Sequence, residues 1–156
     1  MSMELYILSD TRLASIAEWQ RAIDAEGFAL RLSAAVPFDQ LSGGLAAMLG
    51  EKRTGFECDH WDAAVVMEEA PEIEFGHPWK YALAFRWLGM EFEQGDAVCM
   101  AAAAYARATG GVILECESGE LIGPARMKEL IHQSLEARPL MEERLRRFME
   151  QLKSQS

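Results

Sequence analysis

From Met3 to Leu8 the apolar positions Leu5 and Ile7 stand in a short alternating run that predicts a first strand, and Ser9-Asp10-Thr11 supplies side chains able to cap a helix. The period then lengthens. Leu13, Ile16, Trp19 and Ile23 recur on one side, with Glu18, Arg21, Asp24 and Glu26 on the other, until Gly27 ends the helix. Phe28 to Ala34 predicts a second strand. Pro37 opens a second helical piece through Leu41, Leu45, Met48 and Leu49 to Gly50, with Gly43-Gly44 in its middle at a cost of about 1 kcal/mol per glycine. Thr54 to Cys58 is strand-like, Asp59-His60 turns the chain, and Ala63 to Met67 predicts the returning arm of a hairpin.

Glu68 to Pro78, with two prolines and a glycine among four glutamates, predicts a loop. Tyr81, Leu83, Phe85 and Trp87 then alternate with smaller residues, the pattern of a central strand covered on both sides. A helix from about Gly95-Asp96 to Ala108 presents Ala101 to Ala104 as a thin face for close packing. Gly110 or Gly111 supplies its left-handed cap. Val112 to Glu115 follows as a strand expected beside another buried strand, with the alanine helix over one face of the sheet. Ser118-Gly119 turns toward a helix opened by Pro124 and lined by Met127, Leu130, Ile131 and Leu135. Pro139 is expected to break that helix, leaving residues 139–156 as a C-terminal helical extension with Met141, Leu145, Phe148 and Leu152 in a stripe. That stripe suits packing on the chain's own core or a homodimer contact.

The resulting order, β-α-β-α-β-β-β-α-β-α-α, with 156 residues that are half apolar, predicts a single α+β domain over 1–156. Its expected architecture is a mixed β-sheet packed by helices, with a C-terminal amphipathic helix. Charge narrows the partners. At a net −10 the chain lacks the basic surface that nucleic acid or an anionic membrane requires, and a basic protein partner fits instead. Residues 138–156 carry five cations and three carboxylates, so the remainder holds −12. Cys58, Cys99 and Cys116 cannot all pair within one chain, which points to a reducing, cytoplasmic setting. Neither a signal-like opening nor an apolar run long enough to span a bilayer is present in the sequence.

The candidate chemistry is sparse. Cys58, Asp59, His60 and Asp62, with His77, Glu72 and Glu74 further on, are metal-ligand types without a recognised spacing. Cys58 or Cys116 beside a histidine would be a candidate nucleophile, whereas Cys99 lies in the alanine helix as a core residue. Glu72 with Glu74 and Glu115 with Glu117 could each share a strand face, and solvated surface is the favoured reading of both pairs. Gly110-Gly111 sits between helix and strand, the reverse of a phosphate-binding turn. The expectation is no cofactor, no metal and no catalytic residue. The alternative is a small enzyme or ligand-binding domain built on His60, His77 and nearby carboxylates.

A protein-binding surface is the stronger reading. Glu68, Glu69, Glu72 and Glu74 bring charge for steering, and Trp79, Trp61 and Asp59 stand in the neighbouring acidic turns, where aromatics beside carboxylates suit an interface. Core packing remains open to both tryptophans. In LYILSD followed by SIAEWQRAIDAEGF, in Thr54-Gly55-Phe56-Glu57, and above all in AAAAYARATGGVILECESGEL, the chain resembles the small acidic α/β immunity-type proteins that bacteria carry with polymorphic toxins. The resemblance implies a non-catalytic inhibitor that binds and neutralises a basic toxin domain.

Overall fold

The computed structural model describes Ser2 to Gln155; Met1 and Ser156, the ends of the expected domain, lie outside the described residues. Its elements in chain order are β1 (Ser2–Ser9), α1 (Ile16–Ala25), β2 (Leu30–Ser33), a 3-10 turn (Phe38–Gln40), β3 (Ser42–Leu49), β4 (Lys52–Asp62), α2 (Ala63–Glu69), β5 (Tyr81–Leu88), α3 (Phe92–Thr109), β6 (Val112–Glu115), β7 (Glu120–Ile122) and α4 (Pro124–Ser154). The strands form one sheet in the order β2-β3-β4-β5-β1-β6-β7. The fold is a single α+β domain. Every ladder among the described residues is antiparallel, so the sheet is not mixed.

β5 occupies the centre of the sheet, as its aromatic alternation predicts, and β6 pairs with β1. Leu5, Ile7, Leu83, Phe85, Phe56 and Cys58 point to one face and meet α1, α3 and α4 in the main core. Trp19 of α1 is its keystone: fully buried, it packs against Phe38, Phe85 and Tyr105 and donates its indole N–H to the Ala101 carbonyl at 3.0 Å. α3 is buried on nearly every side between α1, α4 and the sheet, which only a run such as Ala101 to Ala104 permits at close range. The two glycines after it serve different ends. Gly110 takes the left-handed cap at φ 67°, while a Cβ on Gly111 would stand 2.5 Å from the Leu8 carbonyl oxygen.

Several sequence expectations are corrected. α1 is capped by Ser15, whose hydroxyl accepts from the Glu18 amide at 3.0 Å while the Glu18 carboxylate takes the Ala14 amide, and not by Ser9-Asp10-Thr11. The helix expected from Pro37 to Gly50 is instead the 3-10 turn and β3. Gly43 and Gly44 weaken a helix, and Leu41, Leu45 and Ala47 also satisfy a period of two. Asp59-His60 does not turn the chain. Asp59 accepts from the Ser42 hydroxyl and the Gly43 amide, His60 bonds the Phe38 carbonyl, and with both polar groups satisfied β4 runs on to Asp62. Ala63 to Met67 is helix α2, not a strand, because Ala63 and Val66 at helical spacing fold back over the sheet. β7 is an additional strand, made by the Ser118-Gly119 turn. Pro139 does not break the last helix: α4 is continuous from Pro124 to Ser154. The carbonyl that Pro139 leaves without its amide belongs to Leu135, an exposed residue on the solvent side of the helix.

Candidate functional site

The two faces of the sheet are covered unequally. Behind the helical layer the first face is closed, whereas the second carries only α2 and the chain from 70 to 80. Ala63, Val66, Ile73, Phe75 and Trp79 pack there against Leu8, Ala82 and Leu114 in a smaller core. Beyond that patch β3, β4, β5 and β1 lie open.

Strand alternation decides what is displayed on the open part. Glu57, Asp59 and Trp61 of β4, Ala84 and Arg86 of β5, and Glu4 and Tyr6 of β1 all point outward, because their neighbours Phe56, Cys58, Phe85, Leu5 and Ile7 are committed to the main core. Register then sorts them into rows. Arg86 stands opposite Glu57 on one side and Glu4 on the other, and Ala84 separates Asp59 from Tyr6. Arg86 donates to the Glu4 carboxylate from Nη2 at 2.7 Å and from Nε at 3.2 Å, and that bond holds its guanidinium above the usual arginine range. Glu57 has no such direct bond to Arg86 among those described.

The small side chains of Ala82 and Ala84 leave room for Trp61 and Tyr6 to lean together, ring centroids 6.1 Å apart at 59°. Trp61 keeps 39% of its surface in solvent. A shallow hollow of about 150 Å³ lies among Glu4, Tyr6, Glu57, Asp59, Trp61 and Arg86. The Tyr6 hydroxyl is pushed above its ordinary range by burial and then by Glu4, Cys116 and Glu69, with Arg86 opposing. Three carboxylates, Glu4, Glu57 and Asp59, thus share the hollow with one arginine beside the exposed Trp61 and the half-buried Tyr6, and the charge of Glu69 reaches Tyr6 from α2.

The candidates from sequence divide accordingly. Asp59 and Trp61 belong to this face. Glu68 and Glu69 close α2, with the charge of Glu69 reaching Tyr6, and Glu72 and Glu74 stand exposed on the adjoining loop, whose apolar residues Ile73 and Phe75 turn inward. Trp79 turns inward too: its indole Nε1 is buried without a hydrogen-bond partner, and its ring meets His77 edge-on at 4.5 Å. It fastens the loop and offers no free anchor. Glu4, Tyr6, Glu57 and Arg86 were missed. The signal was present in the outward positions of two correctly assigned strands, but β5 read as covered on both faces.

The histidines and cysteines do not converge. His60 points into the helical side, its Nε2 2.8 Å from the Phe38 carbonyl and its ring edge-on to Phe38. His77 sits across the sheet, bonded to Asp10 at 2.6 Å. Among the described residues no three His, Cys, Asp or Glu groups are placed to hold a metal ion. Burial pushes the Cys58 thiol far up and that of Cys99 to about 12, while burial and then Glu4 raise Cys116 to about 11. All three thiols stay protonated near neutral pH, the opposite of an activated nucleophile. Glu115 spends its carboxylate on the amides of Glu117 and Ser118 at 2.9 and 2.8 Å, a turn role. No helix of the described residues is long and apolar enough to cross a membrane. Compared with known proteins, the chain matches no family model, no curated protein and no solved structure.

Proposed function

We propose that this protein is a non-catalytic binding factor of the immunity type, which occludes a basic toxin or effector domain with the open face of its sheet. One observation carries the reading: a sheet whose other face is closed by helices leaves this face uncovered where Glu4, Glu57 and Asp59 line a hollow with the Tyr6–Trp61 pair. A partly exposed tryptophan over alanines, with a tyrosine beside it, gives a partner an apolar anchor amid the carboxylates. The carboxylates supply long-range attraction for a cationic cleft and stay near the rim, where charge sets encounter rate more than affinity. Glu68, Glu72 and Glu74 extend that field beyond the patch. A reducing, cytoplasmic setting, where such a factor meets its toxin, belongs to the same proposal.

The test is co-expression with the product of the gene adjacent to its own, followed by kinetics on the purified pair. The expected result is a complex whose association slows about tenfold or more, with a flatter salt dependence, when Glu57 and Glu69 are both reversed to lysine. Reversal of Glu72 and Glu74 should slow it less. A complex whose association and dissociation are both indifferent to Glu57, Glu69 and Trp61 would place the interface elsewhere and overturn the assignment.

A further inference from the structure

The seam by which α4 packs on the body does not stop where the body does. Met127 and Ile131 are buried against α3, Ser134 and Arg138 continue the same seam, and Met141, Leu145, Phe148 and Leu152 prolong it at the alternating three- and four-residue steps of a helix-pairing stripe. Arg138 marks the edge of the body. Its guanidinium grips the buried Asp96 carboxylate from Nη1 at 2.7 Å and Nη2 at 2.9 Å and lies over the Phe92 ring at 4.6 Å. Past it, residues 139–154 run on for roughly 24 Å at the rise of an α-helix. Their four stripe residues are 43 to 54% exposed.

We infer that this overhang pairs with the overhang of a second copy, antiparallel, about a two-fold axis between residues 146 and 147. Three observations select that occupant. The stripe is its own complement: inverted about that axis, Met141 meets Leu152 and Leu145 meets Phe148 of the partner copy, so all four positions find apolar neighbours. Charge favours the approach here. Residues 139–154 hold four cations and three carboxylates, a net +1, so the rest of the chain carries −11, and the overhang is the segment along which two copies meet with little net repulsion. Antiparallel overhangs also keep the acidic bodies at opposite ends. The ion pairs of the overhang, Arg146 with Glu143 and Glu150 and Arg147 with Glu143, lie on the opposite side of the helix and stiffen it without obstructing the stripe. The area suffices: the stripe and flanking Met149 on two copies expose on the order of 1,000 Å², the lower bound of a specific interface.

Sedimentation of the full chain across a concentration series reads the outcome. Twice the 17.4 kDa monomer mass is expected at high concentration, falling to the monomer on dilution. L145E and F148E should each abolish the doubled mass while leaving the thermal midpoint unmoved at dilutions where the parent is a monomer, since both side chains are about half exposed there. A monomer at all concentrations overturns the proposal, as does a dimer that survives both substitutions. Orientation is read separately by Q155C, at the next step of the stripe, in a C116S background. Antiparallel pairing sets the two thiols roughly 25 Å apart and prevents a disulfide; rapid oxidation to a disulfide-linked dimer would show parallel helices and overturn the register. Flotation of the monomer with vesicles of anionic lipid, without self-association, would assign the stripe to a membrane surface and overturn it as well.

Discussion

The two faces of one sheet are built from the same strands and diverge in everything else. On the helical side Leu5, Ile7, Phe56, Leu83 and Phe85 interlock with Trp19 and the α3 alanines, and the Trp19 indole N–H is satisfied by the Ala101 carbonyl. On the other side the same strands show Glu4, Tyr6, Glu57, Trp61 and Arg86, and the covering stops at α2. Alternation along a strand allots side chains to two faces at no cost to either, so one set of residues can serve stability while the interleaved set answers to a partner. Substitutions on the two faces should therefore report on different quantities.

The sharpest break of that contrast is Trp19→Ala, which empties the centre of the helical side and removes the bond to Ala101. A loss of about 3 to 5 kcal/mol is expected in denaturant unfolding. A loss below about 1 kcal/mol would mean the core is not organised around Trp19. Ala104→Trp probes the thin side of α3 by overpacking and should cost about 1 to 3 kcal/mol. An unchanged denaturation midpoint would contradict close contact there.

Glu26 offers a smaller test of how the helices are tied. Its side chain, 9% exposed at the end of α1, pairs with Arg107 of α3 and with Lys128 of α4 at 2.9 Å. Burial raises its pKa, but the bond from Lys128 and the charge of Arg107 outweigh burial, and the net shift is downward. A carboxyl lowered in the folded state contributes stability that is complete above the unfolded value of about 4.3 and is lost as pH falls through the folded value. Glu26→Gln should hence cost roughly 1 kcal/mol near neutrality, reduced from the buried-pair range by the half exposure of Arg107, and the deficit should shrink in acid. A deficit that persists unchanged at pH 3 would show packing, not charge, as its origin.

What the sequence discloses follows the range of the interactions involved. β1, β5 and β6 are legible because their alternation is local, and the Gly110-Gly111 stop because a cap needs only its own turn. β3 was hidden by spacings that serve both periods. β4 continues through Asp59 and His60 because Ser42, Gly43 and Phe38, 16 to 22 residues earlier, satisfy them. The open face was half legible. Alternation groups Glu57, Asp59 and Trp61, but that α2 stops short of them depends on where a helix read as a strand comes to rest.

Trp61→Ala, measured on the free protein and on its complex with the adjacent gene's product, tests the division of labour between the faces most directly. The account predicts an unfolding free energy within about 1 kcal/mol of the parent, the worth of one ring contact with Tyr6, and dissociation faster by about tenfold or more. A variant that unfolds several kcal/mol more easily yet leaves its partner no faster would make Trp61 a packing residue and the open face no binding site.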